Sequence, residues 1–435
     1  MSEAQTSPPA PRNETVQRER YNFPERCLCA VAGLSVNAGW KWTDLNRDRL
    51  RAEVSRRTSL TDFGDDRYLA GLDRILAEAQ GKYTALGTAM LRHLLTTALT
   101  NRLKAVDYIK RHPDVLAVAI HKPIIVLGFP RSGTTLLQNL LAASPERAPL
   151  EFWELMSITP VNERDMQEDR DVRVRALERI LRTADFFVPE LKRMKESSAT
   201  TPEEDWQLLV PTFHALSFEL AYGLGDYGRW LESDADMVWA YSELKRHLQI
   251  ILHQRPREQL VLKCPDHLWF IEPLLKVFPD ACIVQTHRDP ARCLTSYTSM
   301  ISLQERVLTG QINWSALASR LKETFLNGAR RAHQARARLD GQQFYDVQFE
   351  ELVRDPAGTV RAISDYFHVA PPCVQTVRQE LNKPRTDKPG SHQYSYHRLE
   401  IDPDAVREEF RWYTDFYAQR PSTSTELQNQ LAEGA

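Results

Sequence analysis

The segment GFPRSGTT at 128–135 constrains this chain more than any other stretch. It follows an apolar, β-branched run, PIIVL at 123–127, and leads into LLQNLLAA at 136–143, whose pattern predicts a helix. A strand, a glycine-bearing turn and a helix, in that order, are the setting in which a loop cradles phosphate. The backbone N–H groups of such a turn and the helix N-terminus form a concave nest of partial positive charge. The usual pattern, GxxxxGK[ST], is altered here. Thr134 stands where the lysine belongs, and a cation appears three residues earlier as Arg131. The lysine that serves the β- and γ-phosphates is missing, so the loop predicts an anion other than the triphosphate of ATP.

The α/β pattern returns from residue 259. Strands are predicted over 259–262, 281–286 and 344–349, with helices over 266–277, after Pro290, and through Ala362 and Tyr366. Apolar strands alternating with helices predict an α/β fold: a P-loop-type core with a parallel β-sheet flanked by helices. A helical N-terminal layer precedes it, over about 65–112, where Leu69, Leu72 and Leu76, then Leu91, Leu94, Leu95, Leu99 and Leu103, fall at helical spacing. The expected division is a tail at 1–24, a helical region at 25–118, the α/β domain at 119–418 and a second tail at 419–435. Trp153, Trp206, Trp230 and Trp239 crowd the stretch between, at 145–250; they read first as core, with pocket lining as the alternative.

Charge narrows the partners. With 56 basic against 58 acidic residues, no global field points to nucleic acid or a membrane. The N-terminus is polar and proline-bearing, without the apolar core of a signal peptide, and the apolar run at 28–36 is too short to span a bilayer. Of the six cysteines only Cys27 and Cys29 are close together, and no second pair supplies zinc-ligand spacing. The expectation is a cytoplasmic protein with reduced, partly buried thiols.

A second anion site is written in THRDPARCLTS at 286–296. Arg288 leaves the end of a strand, Asp289 is placed to cap the next helix and Pro290 to begin it. Ser296 follows eight residues after the arginine. By itself the pair reads as an ordinary ion pair and a solvated serine. Beside the altered loop it resembles, together with PRSGTTL at 130–136, the sulfotransferases that use PAPS (3′-phosphoadenosine 5′-phosphosulfate), in their bacterial branch. LKCPDH at 262–267, FPDA at 278–281, DFGDD at 62–66, TPEE at 201–204 and GSHQY at 390–394 are similar to that branch as well. The likeness covers roughly 60–415.

The resemblance implies that Arg131, Ser132, Gly133, Thr134, Thr135 and Leu136 hold the 5′-phosphosulfate, and that Arg288 and Ser296 hold the 3′-phosphate. It implies Arg131 and Lys263 as the cations on the transferring group, and a general base drawn from Glu154, His267 and Glu151, in that order. Glu203 and Glu204 remain either substrate-side or structural. The basic loop at 388–394 reads either as a lid or as an ordinary surface loop. PAPS is the expected co-substrate, and no metal is required because arginine and lysine supply the charge. The expected partner is a hydroxyl- or phenol-bearing small molecule. Neither nucleic acid nor a membrane is expected as a partner, and the pattern fixes no oligomeric state. The alternatives are a P-loop kinase or nucleoside-triphosphate hydrolase, which Thr134 disfavours, and a non-catalytic nucleotide-binding protein.

Overall fold

The computed structural model describes residues 43–144, 147, 149–187, 198–382 and 399–418. The N-terminal tail with Cys27 and Cys29, the 388–394 loop and the C-terminal tail lie outside the described residues.

Three helices open the chain: α1 (Arg47–Thr58), α2 (Tyr68–Ala79) and α3 (Ala85–Arg111). The helical stretch expected at 65–112 is thus two helices. Gly81 turns with a φ of 70°, and Thr84 restarts the helix by accepting the Gly87 N–H. Then come β1 (Ile124–Gly128), α4 (Thr134–Leu141), α5 (Phe152–Met156) and α6 (Met166–Phe187). Next are α7 (Ser217–Tyr222), α8 (Gly225–Ser233), α9 (Met237–Gln254), β2 (Val261–Lys263) and α10 (Ile271–Val277). After these lie β3 (Cys282–His287), α11 (Pro290–Thr309), α12 (Trp314–Arg336) and β4 (Phe344–Gln348). The chain closes with α13 (Phe349–Arg354), α14 (Pro356–Phe367), α15 (Val374–Leu381), α16 (Pro403–Glu409) and α17 (Arg411–Ala418).

The four strands form one parallel sheet in the order β2-β1-β3-β4. Side chains alternate across it, as a strand's period of two requires. Ile125, Leu127, Leu262, Ile283 and Phe344 face the large core that also holds Leu72, Leu76, Leu91, Leu95, Leu99 and Leu103 of the N-terminal helices. Ile124, Val126, Val261, Val284 and Val347 face a smaller core made with Leu137 and Leu140 of α4 and Ile363 of α14. Both faces are therefore covered, which is why these strands read as unbroken apolar runs. Trp230 and Trp239 are buried in the large core, Trp206 packs half-buried against it, and Trp153 belongs to a separate small cluster with Leu177.

The helix expected over 266–277 is broken. Pro265–Trp269 is a 3-10 helix, and α10 begins only after Phe270, whose φ of −132° and ψ of 39° are not helical. Packing explains the break. The buried Trp269 ring lies so close to Gly328 of α12 that a β-carbon there would meet it at 2.5 Å.

Candidate active site

Register sets the geometry. Val126 of β1 pairs with Lys263 of β2, and Gly128 pairs with Thr286 of β3, so three chain segments reach the carboxyl edge of the sheet side by side. That edge is where open parallel sheets bind ligands. The loop after β1 is tightly turned: Gly128 has a φ of 148° and Gly133 one of 93°, both in the region that favours glycine. A β-carbon on Gly128 would meet Thr286 Oγ1 at 2.3 Å, and one on Gly133 would meet the Phe349 ring at 2.7 Å. Arg131 itself adopts a φ of 71°, a strained conformation for a non-glycine residue.

The loop's hydroxyls divide into two roles. Ser132 is buried, and its Oγ donates to the Phe129 carbonyl at 2.6 Å and pairs with Thr286 Oγ1 at 2.6 Å. That serine braces the loop against β3. The N–H groups of Thr134, Thr135 and Leu136 open α4 and have no carbonyl of their own helix to donate to, as in any first turn. They form the anion-seeking end of the nest.

The second motif meets the first. Arg131 Nε donates to Ser296 Oγ at 3.1 Å, and Arg288 Nη1 donates to the Arg131 carbonyl at 2.7 Å. Arg288 lies over the Phe349 ring at 3.9 Å, while its buried Nε makes no hydrogen bond. A buried, unsatisfied guanidinium N–H beside a turn of open backbone N–H groups suits an oxyanion. Asp289 caps α11 by accepting the Ala291 N–H, with Pro290 at the first helical position, as expected.

Lys263 closes the other side. Its side chain is 1% exposed, and Nζ donates to Glu204 Oε1 at 2.7 Å. Its backbone N–H donates to Asp205 Oδ1 at 3.1 Å. The Glu203 carbonyl accepts from Gln138 of α4 at 3.4 Å, which seats the 203–205 segment against the P-loop helix.

The base candidates occupy three different settings. Glu154 is buried and clamped: Arg257 Nη2 reaches both of its carboxylate oxygens at 2.7 Å, Arg255 reaches Oε1 at 3.1 Å, and the Glu151 N–H donates to Oε2 at 2.8 Å. Glu151 completes a capping box with it and accepts from Trp153 Nε1 at 2.6 Å and Arg255 at 3.2 Å. His267 is fully buried, with Nε2 on Asp205 Oδ2 at 2.9 Å and Nδ1 on the Tyr241 hydroxyl at 3.0 Å. Burial holds that phenol far above its usual range, so it keeps its proton. Glu204 keeps 24% of its side chain accessible, against 2% for Glu154 and none for His267. Sequence reasoning singled out neither Arg255 and Arg257 nor Asp205 and Tyr241. Asp205 directly follows the TPEE motif, and that adjacency was the available signal.

Burial raises the pKa of two further groups near Glu204. Burial pushes the Tyr297 phenol well up, and the charges of Asp266, Glu204 and Glu219 add to the rise. Its ring packs against Phe325 at 5.8 Å. Burial likewise pushes the Asp266 carboxyl up to about 7. Because its folded value lies above the unfolded one, the stability it contributes is complete below about pH 4 and lost as pH rises through the folded value. Asp266→Asn retains a carbonyl to accept the Ser217 N–H, which Asp266 holds at 3.2 Å. The variant is expected to be more stable than wild type by a few kcal/mol at about pH 8 and scarcely different at about pH 4. Urea unfolding midpoints at the two pH values check this.

Comparison with known proteins identifies the family. Residues 123–371 match the model of the sulfotransferase family, and the chain belongs to that family. It is similar to sulfotransferase STF1 of Mycobacterium tuberculosis H37Rv, with 31% identity, coverage of 84% of this chain and 98% of that one, and a TM-score of 0.73. Sulfotransferase STF9 of Mycobacterium avium shares 27% identity over 87% of this chain and 98% of its own, with a TM-score of 0.74. The omega-hydroxy-beta-dihydromenaquinone-9 sulfotransferase Stf3 of Mycobacterium bovis is 25% identical over 259 residues, or 57% of this chain. The match spans 62% of the length of that relative. Among the described residues no helix is long and apolar enough to cross a membrane. Cys264, Cys282 and Cys293 are buried free thiols, and Cys373 is an exposed one.

Proposed function

We propose that this chain transfers the sulfuryl group of PAPS to the hydroxyl of a small-molecule acceptor. The observation that carries the reading is the contact between the two anion motifs: Arg288 on the Arg131 carbonyl, and Arg131 on Ser296. One continuous strip of donors runs from the P-loop to α11, suited to a ligand with phosphates at both ends of a nucleoside. The 131–136 loop holds the 5′-phosphosulfate, with the backbone N–H groups of Thr134, Thr135 and Leu136 as its open donors, and Arg288 with Ser296 holds the 3′-phosphate.

In sulfuryl transfer, as in phosphoryl transfer, charge spreads over three oxygens while nucleophile and leaving group lie in line. The protein's part is positioning and electrostatic stabilisation. Arg131 and Lys263 supply the cations. Arginine at 131 stays charged and serves two oxygens at once, so its part is charge and not proton donation. Glu204 takes the acceptor's proton: its carboxylate is accessible and next to the lysine that stabilises the leaving oxygen. Glu154 and His267, whose lone pairs and ring nitrogens are committed, position the site. Asp205 joins His267 to the Lys263 backbone and fixes the segment that carries Glu204.

The name of the Mycobacterium bovis relative describes an acceptor hydroxyl at the end of a long apolar molecule. We extend that class to this chain. The buried thiols suit a reducing, cytosolic setting. Incubation with sulfur-labelled PAPS and a long-chain primary alcohol or, separately, a simple phenol tests the reading. The expected product is the labelled sulfate ester of the alcohol. Labelling of the phenol alone overturns the acceptor class, and labelling of neither overturns both classes.

A further inference from the structure

α6 is anchored on one side and solvent-exposed on the other. Its inner side is anchored by Arg173, which donates to Asp169 at 2.8 Å and to Gln254 at 3.0 Å, and by Leu177 beside Trp153. Glu178 accepts the Ala199 N–H at 2.6 Å. The opposite arc is exposed from Val172 to Phe186, and it is unusual in two respects.

First, it is apolar. Val172, Ile180 and Phe186 of this arc are three of the eleven exposed large hydrophobic side chains among the described residues. Val172, Ile180 and Phe186 are 39%, 50% and 67% exposed. Scattered apolar residues need no explanation, but this concentration on one helix does.

Second, it is basic. Between Val172 and Phe186 the fully exposed charged positions are Arg175, Arg179 and Arg182, while Glu178 and Asp185 are half-buried. Arg175 and Arg179 make no ion pair among the described residues, and Arg182 Nε donates only to the Glu178 carbonyl at 3.2 Å. The chain as a whole carries a formal charge of −2, so this positive strip is local.

We infer that the outer face of α6 docks the protein on an anionic lipid surface. A face of arginines interleaved with apolar side chains on a convex helix matches an interface where hydrocarbon lies beneath a layer of phosphates. The apolar groups enter the acyl boundary, and the long arginine stems let their heads reach the phosphates. Charge argues against a second copy of this chain as occupant, because a two-fold contact would set the same arginines against one another. The interleaving argues against a purely acidic partner, which would leave Val172 and Ile180 uncovered. This goes beyond the proposed reaction and requires no turnover.

Vesicle co-sedimentation of the full chain tests it, with phosphatidylcholine vesicles and with vesicles of phosphatidylcholine and phosphatidylglycerol. The wild type is expected to pellet with the anionic vesicles and not with the neutral ones. Arg175→Ser with Arg179→Ser should weaken that partition roughly twenty-fold or more, at about fivefold for each arginine. Val172→Ser with Ile180→Ser should weaken it as well, with unfolding midpoints showing that both variants remain folded. Absence of wild-type binding to anionic vesicles overturns the inference, as does binding that neither pair of changes affects. Poly-glutamate captured as tightly as the vesicles, without dependence on Val172 and Ile180, overturns it in favour of an acidic protein. Self-association abolished by the arginine changes, without vesicle binding, overturns it in favour of a second copy.

Discussion

Replacing Glu204 with glutamine is expected to slow sulfuryl transfer about 10²–10⁴-fold, the usual contribution of a positioned general base. Affinity for the donor's bisphosphate product should remain near that of the wild type. The amide oxygen still accepts from Lys263 Nζ, now 2.7 Å from Glu204 Oε1, so the lysine keeps a partner while the proton acceptor is gone. A loss confined to turnover marks a group acting on the reacting hydroxyl. Single-turnover rates with saturating PAPS and acceptor check the first part, and calorimetry with the bisphosphate checks the second. A variant that turns over at the wild-type rate removes Glu204 from the mechanism. A variant that loses the bisphosphate shows that the Lys263–Glu204 pair shapes the nucleotide site instead.

Glu154→Ala has the largest expected effect on stability, about 3–5 kcal/mol, because it leaves a buried guanidinium without its carboxylate. Arg257 is 2% exposed and donates to both Glu154 oxygens, and Arg255 adds a third contact. The capping box that begins α5 is lost at the same time. Urea denaturation should show the drop. Adding Arg257→Ala should then cost less than the sum of the two single changes, since the stranded charge is removed with its partner. If Glu154→Gln keeps the wild-type midpoint yet abolishes turnover, Glu154 is the base after all.

What was legible in the sequence was what short-range pattern encodes. The strands at 124–128 and 282–287 are buried throughout, and their ends carry the GFPRSGTT and THRDP turns. Asp289 and Pro290 announce the start of α11 because a cap and a fixed φ are local properties. The partners of Glu154 and His267 could not be read the same way. Arg257 lies 103 residues from Glu154, and Asp205 lies 62 from His267, so each commitment exists only after the chain has folded. A glutamate just beyond a P-loop helix looks the same in sequence whether it faces an acceptor or an arginine. The unbroken helix expected over 266–277 failed for a related reason. Its residues allow a helix, but Trp269 must press against Gly328, about sixty positions on, and Phe270 leaves the helical conformation.

The central claim is a two-phosphate site shared by the P-loop and the start of α11. The most direct measurement is calorimetric binding of 3′-phosphoadenosine 5′-phosphate, with ATP–magnesium as comparator, to the wild type and to Arg288→Ala. The account predicts that the wild type prefers the bisphosphate and that the variant binds it about ten- to a hundredfold more weakly, the worth of a charge-assisted hydrogen bond. Preference for ATP–magnesium, or bisphosphate binding indifferent to Arg288, would contradict it.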